Sequence, residues 1–175
     1  PYGVKARKHP GGIIDLSQGT PVDPTPEFIQ KVLAESANSP SYPTTAGTPE
    51  LQQAIRTWAT NHLGITGDFD VLPVIGSKEL VAWLPTLLQS QTVLYPKIAY
   101  PTYLVGAMLA QSHEIAVDID ASQWPQADLA WVNSPANPTG RVHSEAELRT
   151  VIQWSRKNKA VVISDECYLE FGDGV

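Results

Sequence analysis

In the first third of the chain, apolar residues recur every three or four positions, which is the spacing of an amphipathic helix. One such segment covers residues 25–37, with Thr25 suited to cap the start of a helix. A second covers residues 49–62, with Thr48 as its N-cap. The Gly- and Pro-rich residues 1–24 come before both helices and are expected to form an arm or an edge segment.

From residue 71 onward, short apolar runs rich in β-branched residues alternate with helical segments. This alternation predicts an α/β fold with a mostly parallel sheet sandwiched by helices. We place an N-terminal arm and helix in residues 1–45 and a larger domain in residues 46–175. The predicted strands are 71–75, 92–95, 114–117, 129–132 and 160–164, and the helices between them are 78–89, 102–111 and 144–158. Ser144 and Glu147 are suited to form a capping box at the start of the last helix.

Composition narrows the classes of function. Of the 175 residues, 42% are hydrophobic and 17% are charged, and the net charge is −6, as in an ordinary soluble globular protein. The scattered Lys and Arg residues argue against nucleic acid or an anionic membrane as partner. No apolar run approaches the roughly 20 residues that cross a bilayer. The single cysteine, Cys167, suits a reducing cytoplasm, and the four histidines lack metal-ligand spacing, so no metal site is expected.

Ligands of parallel α/β sheets bind beyond the carboxyl ends of the strands, which directs attention to the loops there. The first of these loops carries Gly76, Ser77 and Lys78 at the start of a helix. Backbone N–H groups and the helix dipole can bind an anion such as phosphate at that position. A Gly-Ser turn also serves as a plain helix cap, and the spacing is not that of a Walker loop, so both interpretations stay open.

Two further loops carry an aromatic ring and a pair of X-Pro bonds. Tyr100 lies before Pro101, where its ring can stack on a planar ligand or pack on the sheet. Residues 132–140 contain two X-Pro steps that indicate a stiff and partly cis backbone. Asn137 in that loop can offer its amide to a ligand oxygen, although Asn also caps turns. The many turn residues directly after a strand favour the functional interpretation.

The fourth loop follows the apolar run 160–164 and begins with Asp165, with Tyr168 three positions later. A carboxylate beside a buried sheet is costly unless a cation or a hydrogen-bond donor accompanies it. The nitrogen of a protonated pyridine ring would be such a partner. Acidic residues that only cap a turn also occur at strand ends, but the pattern favours a functional carboxylate.

Taken in order, these motifs resemble the fold-type I, class I and II aminotransferases. The chain carries, from its start to its end, G-T-P, Y-P-T-T-A-G-T-P-E-L, G-S-K-E, Y-P-T-Y, S-P-A-N-P-T-G and D-E-C-Y. Each motif alone is weak, and their shared order over nearly the whole chain is what makes the resemblance specific. The resemblance implies the large domain of such an enzyme, pyridoxal 5′-phosphate as cofactor, and a homodimer with shared active sites.

The resemblance also implies roles for individual residues, all of which we write as expectations. Asp165 would pair with the ring nitrogen of the cofactor, Asn137 and Tyr168 would bind its phenolic oxygen, and Tyr100 would cover one ring face. The phosphate would bind at Gly76, Ser77 and Lys78, and Tyr42 would reach the phosphate of the neighbouring subunit. Gly19 would bind the substrate α-carboxylate through its backbone.

Both ends of the chain are expected to be cuts within a longer protein. The chain starts at Pro1 without an initiator methionine, and it stops at Val175 soon after an apolar strand. By resemblance, the cofactor-binding lysine, the arginine that binds the substrate carboxylate and the small C-terminal domain would all lie beyond Val175. A chain without that lysine is expected to be inactive by itself.

Within the family, residues 71–85 are most similar to actinobacterial N-succinyldiaminopimelate aminotransferases. The resemblance implies amino-group transfer between glutamate and N-succinyl-2-amino-6-oxopimelate, in the biosynthesis of diaminopimelate and lysine. The alternatives are another aminotransferase, a C–S β-lyase or a decarboxylase on the same scaffold. A further alternative is a non-catalytic, cofactor-binding domain.

Overall fold

The computed structural model describes residues 2–14, 19 and 22–171. The chain divides into two compact units, Pro1–Gly47 and Thr48–Val175. The first unit contains a short helix α1, Tyr2–Ala6, which the sequence pattern did not predict, and helix α2, Glu27–Glu35.

Helix α2 begins at Glu27, one residue later than a cap at Thr25 would place it. Pro26 is its N-cap, with an extended backbone (φ −53°, ψ 140°), and no side chain caps the helix. The prediction of Thr25 as the cap was therefore wrong. The carbonyl of Thr25 instead accepts a hydrogen bond from Nε2 of Gln30.

The second unit is an α/β structure built on a four-stranded parallel sheet, and the predicted fold class is confirmed. Its elements are α3 (Pro49–His62), α4 (Ser77–Leu87), β1 (Thr92–Pro96), α5 (Thr102–Leu109), β2 (His113–Val117), β3 (Leu129–Asn133), α6 (Glu145–Asn158) and β4 (Val161–Asp165). Two short 3-10 turns, Ala121–Gln123 and Leu169–Phe171, complete it. The predicted caps of α3 and α6 are present, since Thr48 accepts from the N–H of Leu51 and Ser144 forms a capping box with Glu147.

The strand order β2-β1-β3-β4 places β3 in the interior of the sheet, where all five of its residues are buried. Side chains alternate across a strand, so β3 serves two cores. Leu129 and Trp131 pack with residues of α4 and α5 on one face, and Ala130 and Val132 pack with residues of α6 on the other. The sheet is therefore covered by helices on both faces.

Residues 71–75 were predicted as a strand and are not one. A strand needs a neighbour with which to exchange backbone hydrogen bonds, and no described strand lies beside this segment. The apolar side chains of Leu72, Val74 and Ile75 are accordingly exposed. The prediction of a strand here was therefore wrong for the described part of the chain.

Among the described residues, no helix is long and apolar enough to cross a membrane. The longest helices, α3 and α6, have 14 residues each and are amphipathic rather than apolar all round.

Helices α4 and α5 approach each other closely at Gly106. A Cβ atom at this position would lie 3.0 Å from the carbonyl oxygen of Ala82 and 3.1 Å from that of Val81. Backbone atoms cannot move aside as a flexible side chain can, so this contact needs glycine. The close approach also places the first turn of α5 against α4, at the edge of the sheet where the loops meet.

We predict that Gly106→Ala lowers the free energy of unfolding. Overpacking costs about 1–3 kcal/mol, which exceeds the gain of up to about 1 kcal/mol from replacing a helical glycine with alanine. Urea denaturation followed by circular dichroism measures the change. Val105→Ala, on the exposed side of the same helix, is the matched control and should change stability by less than about 0.5 kcal/mol. Equal stability of Gly106→Ala and the wild type would contradict the contact.

Candidate functional site

The loops after β1, β3 and β4 meet the start of α4 around a cavity of about 180 Å³. Parallel strands place their carboxyl ends at the same edge of a sheet, which is why segments distant in sequence come together here. Six of the predicted site residues line the cavity: Ser77, Lys78, Tyr100, Asn137, Asp165 and Tyr168. The lining is completed by Val81, Tyr103, Asn133 and Cys167.

The predicted anion site lies at the N-terminus of α4. Gly76 is the N-cap and Ser77 is the first helical residue, so the N–H groups of the first turn have no partner within the helix. The backbone of Gly76 is extended (φ −166°), and a Cβ atom there would meet no atom within 4 Å. The space next to Gly76 is therefore open, and the side chains of Ser77 and Lys78 border the cavity.

Asp165 is the last residue of β4, and its carboxylate is bound from two sides. The hydroxyl of Tyr103 donates to Oδ2 at 2.7 Å, and the backbone N–H of Cys167 donates to Oδ1 at 3.2 Å. The side chain is only partly exposed, so these donors offset part of the cost of desolvating the charge. Each carboxylate oxygen can accept a second hydrogen bond, which leaves capacity for a ligand donor.

The carboxylate of Asp165 changes the acidity of both neighbours. Burial, together with the hydrogen bond and negative charge of Asp165, raises the pKa of Tyr103. Desolvation of the thiol, followed by its hydrogen bond to Asp165 and the charge of that residue, raises the pKa of Cys167 to about 11. Both groups are therefore protonated at neutral pH, when each can act as a hydrogen-bond donor.

The loop after β3 brings Asn137 to Tyr168. Nδ2 of Asn137 donates to the hydroxyl of Tyr168 at 3.3 Å, so the two residues predicted to share one ligand oxygen are adjacent. The expectation of a partly cis backbone is met, since the Ser134–Pro135 and Asn137–Pro138 bonds are both cis.

The buried Asn133 connects this loop to the end of β4. Its Nδ2 donates to the carbonyl of Asp165 at 2.8 Å, and its Oδ1 accepts from the N–H of Asn137 at 2.7 Å. Asn133 also lies opposite Asp165 in the register of β3 and β4. The backbones of Asn137 and Asp165 are thus held by one carboxamide.

The aromatic side chains of the site form a row. Tyr100 meets Tyr103 edge to face, with ring centroids 5.9 Å apart, and Tyr103 stacks on Trp131 at 4.8 Å. Tyr100 is partly buried and borders the cavity, whereas Tyr103 and Trp131 are buried. Tyr100 is therefore the member of the row with a ring face available to a ligand.

Tyr103 and Asn133 are the residues that sequence reasoning missed. Tyr103 was assigned only to a predicted helix, and Asn133 only to the loop 132–140 that follows a predicted strand. The signal that could have identified Tyr103 is its position in the first turn of α5, three residues after Tyr100. No comparable signal identified Asn133, because its partners are distant in sequence or belong to the backbone.

Gly19 and Tyr42 belong to the first unit and not to the unit that forms the cavity. Both are exposed, and Tyr42 is almost completely so. Most of the motif around Gly19, residues 15–18 and 20–21, lies outside the described residues. The roles expected for Gly19 and Tyr42 stay predictions.

A second cavity of about 300 Å³ lies on the α6 side of the sheet. Apolar side chains such as Ile98, Trp124 and Leu148 line much of it, with the ion pairs Lys97–Asp118 and Arg141–Glu147 also in its wall. It contains none of the residues expected to bind the cofactor. The smaller cavity is therefore the candidate site, because it combines a carboxylate, a helix N-terminus and hydroxyl and amide donors.

In the part of the chain that the structure describes, no group of three or more His, Cys, Asp or Glu side chains is arranged to hold a metal ion. The cavity is lined by one anionic side chain, Asp165, by one cationic side chain, Lys78, and by several neutral hydrogen-bonding groups.

The chain is similar to known proteins along nearly its whole length. The family model for aminotransferase class I and II matches residues 11–175. The 4-dedimethylamino-4-oxo-anhydrotetracycline transaminase OxyQ of Streptomyces rimosus is 43% identical, with 98% of this chain and 49% of the relative covered. The probable aminotransferase Rv1178 of Mycobacterium tuberculosis is 48% identical, with 95% of this chain and 41% of the relative covered.

Solved structures show the same relationship. The structure of a probable N-succinyldiaminopimelate aminotransferase from Thermus thermophilus superimposes with a TM-score of 0.80 and 31% identity, and covers 93% of this chain and 49% of that protein. The chain thus spans about half the length of the relatives it matches.

The family model covers nearly the whole chain, and the cavity holds side chains that suit the pyridoxal phosphate used by this family. The chain belongs to the aminotransferase class I and II family.

Proposed function

We propose that the protein carrying this chain transfers an amino group from glutamate to a keto acid, with N-succinyl-2-amino-6-oxopimelate as the acceptor. L-Glutamate and the keto acid are converted into 2-oxoglutarate and the new amino acid, so the reaction balances without an oxidant or reductant. The observation that carries the proposal is the cavity in which Asp165, Asn137, Tyr168, Tyr100 and the start of α4 converge. The 31% identity to a probable N-succinyldiaminopimelate aminotransferase supports the choice of acceptor.

The residues of the cavity fit pyridoxal 5′-phosphate. When bound, this cofactor supplies an electron sink for the bond that breaks at the substrate α-carbon. Asp165 would hold a proton on the ring nitrogen through its carboxylate, which keeps the ring positively charged. Asn137 and Tyr168, whose polar groups are 3.3 Å apart, would both bind the phenolic oxygen.

The remaining roles that we propose concern the start of α4, Tyr42 and Gly19. Gly76, Ser77 and Lys78 would bind the phosphate through the free N–H groups and the hydroxyl at the start of α4. Tyr100 would cover one face of the ring. Tyr42 would act in the partner subunit of a homodimer, and Gly19 would bind the substrate α-carboxylate.

A second acceptor class is favoured by a specific observation. The 43% identity to OxyQ, whose name describes a transaminase of a tetracycline intermediate, makes a polycyclic ketone the second candidate acceptor. Both candidates require the same groups around the cofactor ring, so the described cavity serves either.

Because Cys167 is the only cysteine of the chain, we also propose that the protein is located in the reducing cytoplasm.

A substrate panel with the full-length protein tests the acceptor. We expect 2-oxoglutarate to form from glutamate with a kcat/KM at least about tenfold higher for N-succinyl-2-amino-6-oxopimelate than for pyruvate or oxaloacetate, a discrimination within the range of ordinary binding contacts. A coupled glutamate dehydrogenase assay measures the product. A preference for the tetracycline ketone would support the second candidate. Release of pyruvate from cystathionine without amino transfer would instead indicate a C–S lyase and contradict both.

We predict that Asp165→Ala in the full-length protein lowers kcat on the order of 10²–10³-fold, the cost of removing one preorganised charge from a catalytic site. The loss of the acceptor for Tyr103 and Cys167 lowers the free energy of unfolding by only about 1–3 kcal/mol, so the variant should stay folded. Glu166→Ala is the matched control, because this neighbouring carboxylate is exposed and accepts a hydrogen bond from the hydroxyl of Ser164. Turnover of Asp165→Ala close to that of the control would refute the assigned role.

Cys167 borders the cavity but is not proposed as a nucleophile. Since its pKa is raised to about 11, the reactive thiolate is scarce at neutral pH and becomes abundant only as the pH approaches that value. We predict that the rate of alkylation by iodoacetamide rises with pH and reaches half of its maximum near pH 11. Mass spectrometry of the peptide that contains Cys167 measures this rate. A free cysteine has its midpoint at about pH 8.5. Asp165→Ala should lower the pH of this midpoint. A rate that is already at its maximum at pH 9 in the wild type would contradict the prediction.

A further inference from the structure

Tyr103 is a buried tyrosine whose hydroxyl reaches the candidate site from the first turn of α5. The residue is 0% exposed, and its hydroxyl lies 2.7 Å from Oδ2 of Asp165, 62 positions further along the chain. The rest of the side chain packs in the core between the sheet and helices α4 and α5. One atom of a core side chain is therefore directed at the carboxylate of the site.

The ring of Tyr103 is fixed on two sides. It stacks on Trp131 with an angle of 22° between the ring planes, and Tyr100 meets it at 83°. Gly106, one helical turn further along, holds α5 against α4 at a distance that only glycine allows. A ring packed in this way cannot turn its hydroxyl elsewhere without disturbing the core.

The carboxylate of Asp165, in contrast, is intrinsically free to rotate. The terminal torsion of an aspartate is broad, so packing alone does not set the direction of its two oxygens. The N–H of Cys167 binds Oδ1 from the same chain segment at 3.2 Å. Tyr103 binds Oδ2 from a different element at a shorter distance, and this second donor determines the rotation.

Tyr103 is also suited to remain a donor. Burial and the carboxylate of Asp165 raise the pKa of the phenol, so the hydroxyl keeps its proton and can donate it to a hydrogen bond. A hydrogen bond between a neutral donor and a carboxylate is stronger than one between two neutral groups.

We propose that Tyr103 is a positioning residue, whose hydroxyl holds the Asp165 carboxylate in the orientation that binds the nitrogen of the cofactor ring. This inference rests on the proposed function, because it requires that Asp165 meets pyridoxal phosphate. Tyr103 itself touches Asp165 and acts on the cofactor only through that residue.

The test is Tyr103→Phe in the full-length protein, with pyridoxal 5′-phosphate as the probe. The substitution keeps the ring, its volume and its stacking on Trp131 and removes only the hydroxyl. We expect the apparent dissociation constant, measured by titration of the apoprotein, to rise about tenfold, the effect of losing one charge-assisted hydrogen bond. Tyr95→Phe, which packs beside the same core without bordering the cavity, is the control and should leave the constant unchanged.

A double-mutant cycle separates positioning from packing. If Tyr103 acts through Asp165, Tyr103→Phe should weaken binding about tenfold in the wild type and less than about twofold in Asp165→Asn. The visible circular dichroism of the bound cofactor should also fall in Tyr103→Phe and be unchanged in Tyr95→Phe, since it reports how firmly the ring is held. Thermal unfolding of each apoprotein shows that the variants compared are folded.

The outcomes distinguish this inference from the proposed function. A wild type that binds the cofactor, with Tyr103→Phe binding equally well, would overturn the positioning role alone. An equal loss of affinity in the wild-type and Asp165→Asn backgrounds would also overturn it, because the hydroxyl would then act independently of the carboxylate. A wild type that does not bind pyridoxal phosphate would overturn both proposals.

Discussion

The carboxamide of Asn133 holds together the edge of the sheet on which the candidate site is built. Asn133 is 3% exposed, and its amide group makes hydrogen bonds to the carbonyls of Asp165 and Pro135 and to the N–H of Asn137. A buried polar group with its hydrogen bonds satisfied is rigid, because each partner would be left unpaired if it moved. The end of β4 and the loop after β3 are therefore fixed to each other before any ligand binds.

The sheet supports this arrangement through the position of β3. Since β3 is buried along its whole length between β1 and β4, its alternate side chains anchor both cores, and its end is held in place from both faces. Asn133 is the residue at that end. The charge of Asp165 on the neighbouring strand is then partly compensated by donors from α5 and from the following turn. The apolar cores make the sheet rigid, and the polar residues Asn133 and Asp165 lie at the edge where β3 and β4 end.

Much of the site was predictable because its residues stand next to recognisable boundaries. Ser77 begins a helix, Asn137 lies between two prolines, and Asp165 ends an apolar strand, so local patterns placed each at the edge of the sheet. Tyr103 and Asn133 could not be assigned in the same way. Their importance lies in contacts across 62 and 32 positions of sequence, and neither differs locally from an ordinary core or strand residue.

The sequence by itself determined the class of the fold, the helices with their caps at Thr48 and Ser144, and the residues available for chemistry, because these depend on short-range periodicity and on side-chain type. Only the tertiary structure decided which of these residues meet. Among the described residues, the segment 71–75 has no partner strand, and the hydroxyl of Tyr103 meets Asp165. Both outcomes depend on which strands are neighbours and how closely helices pack, and these are properties of the whole chain in space.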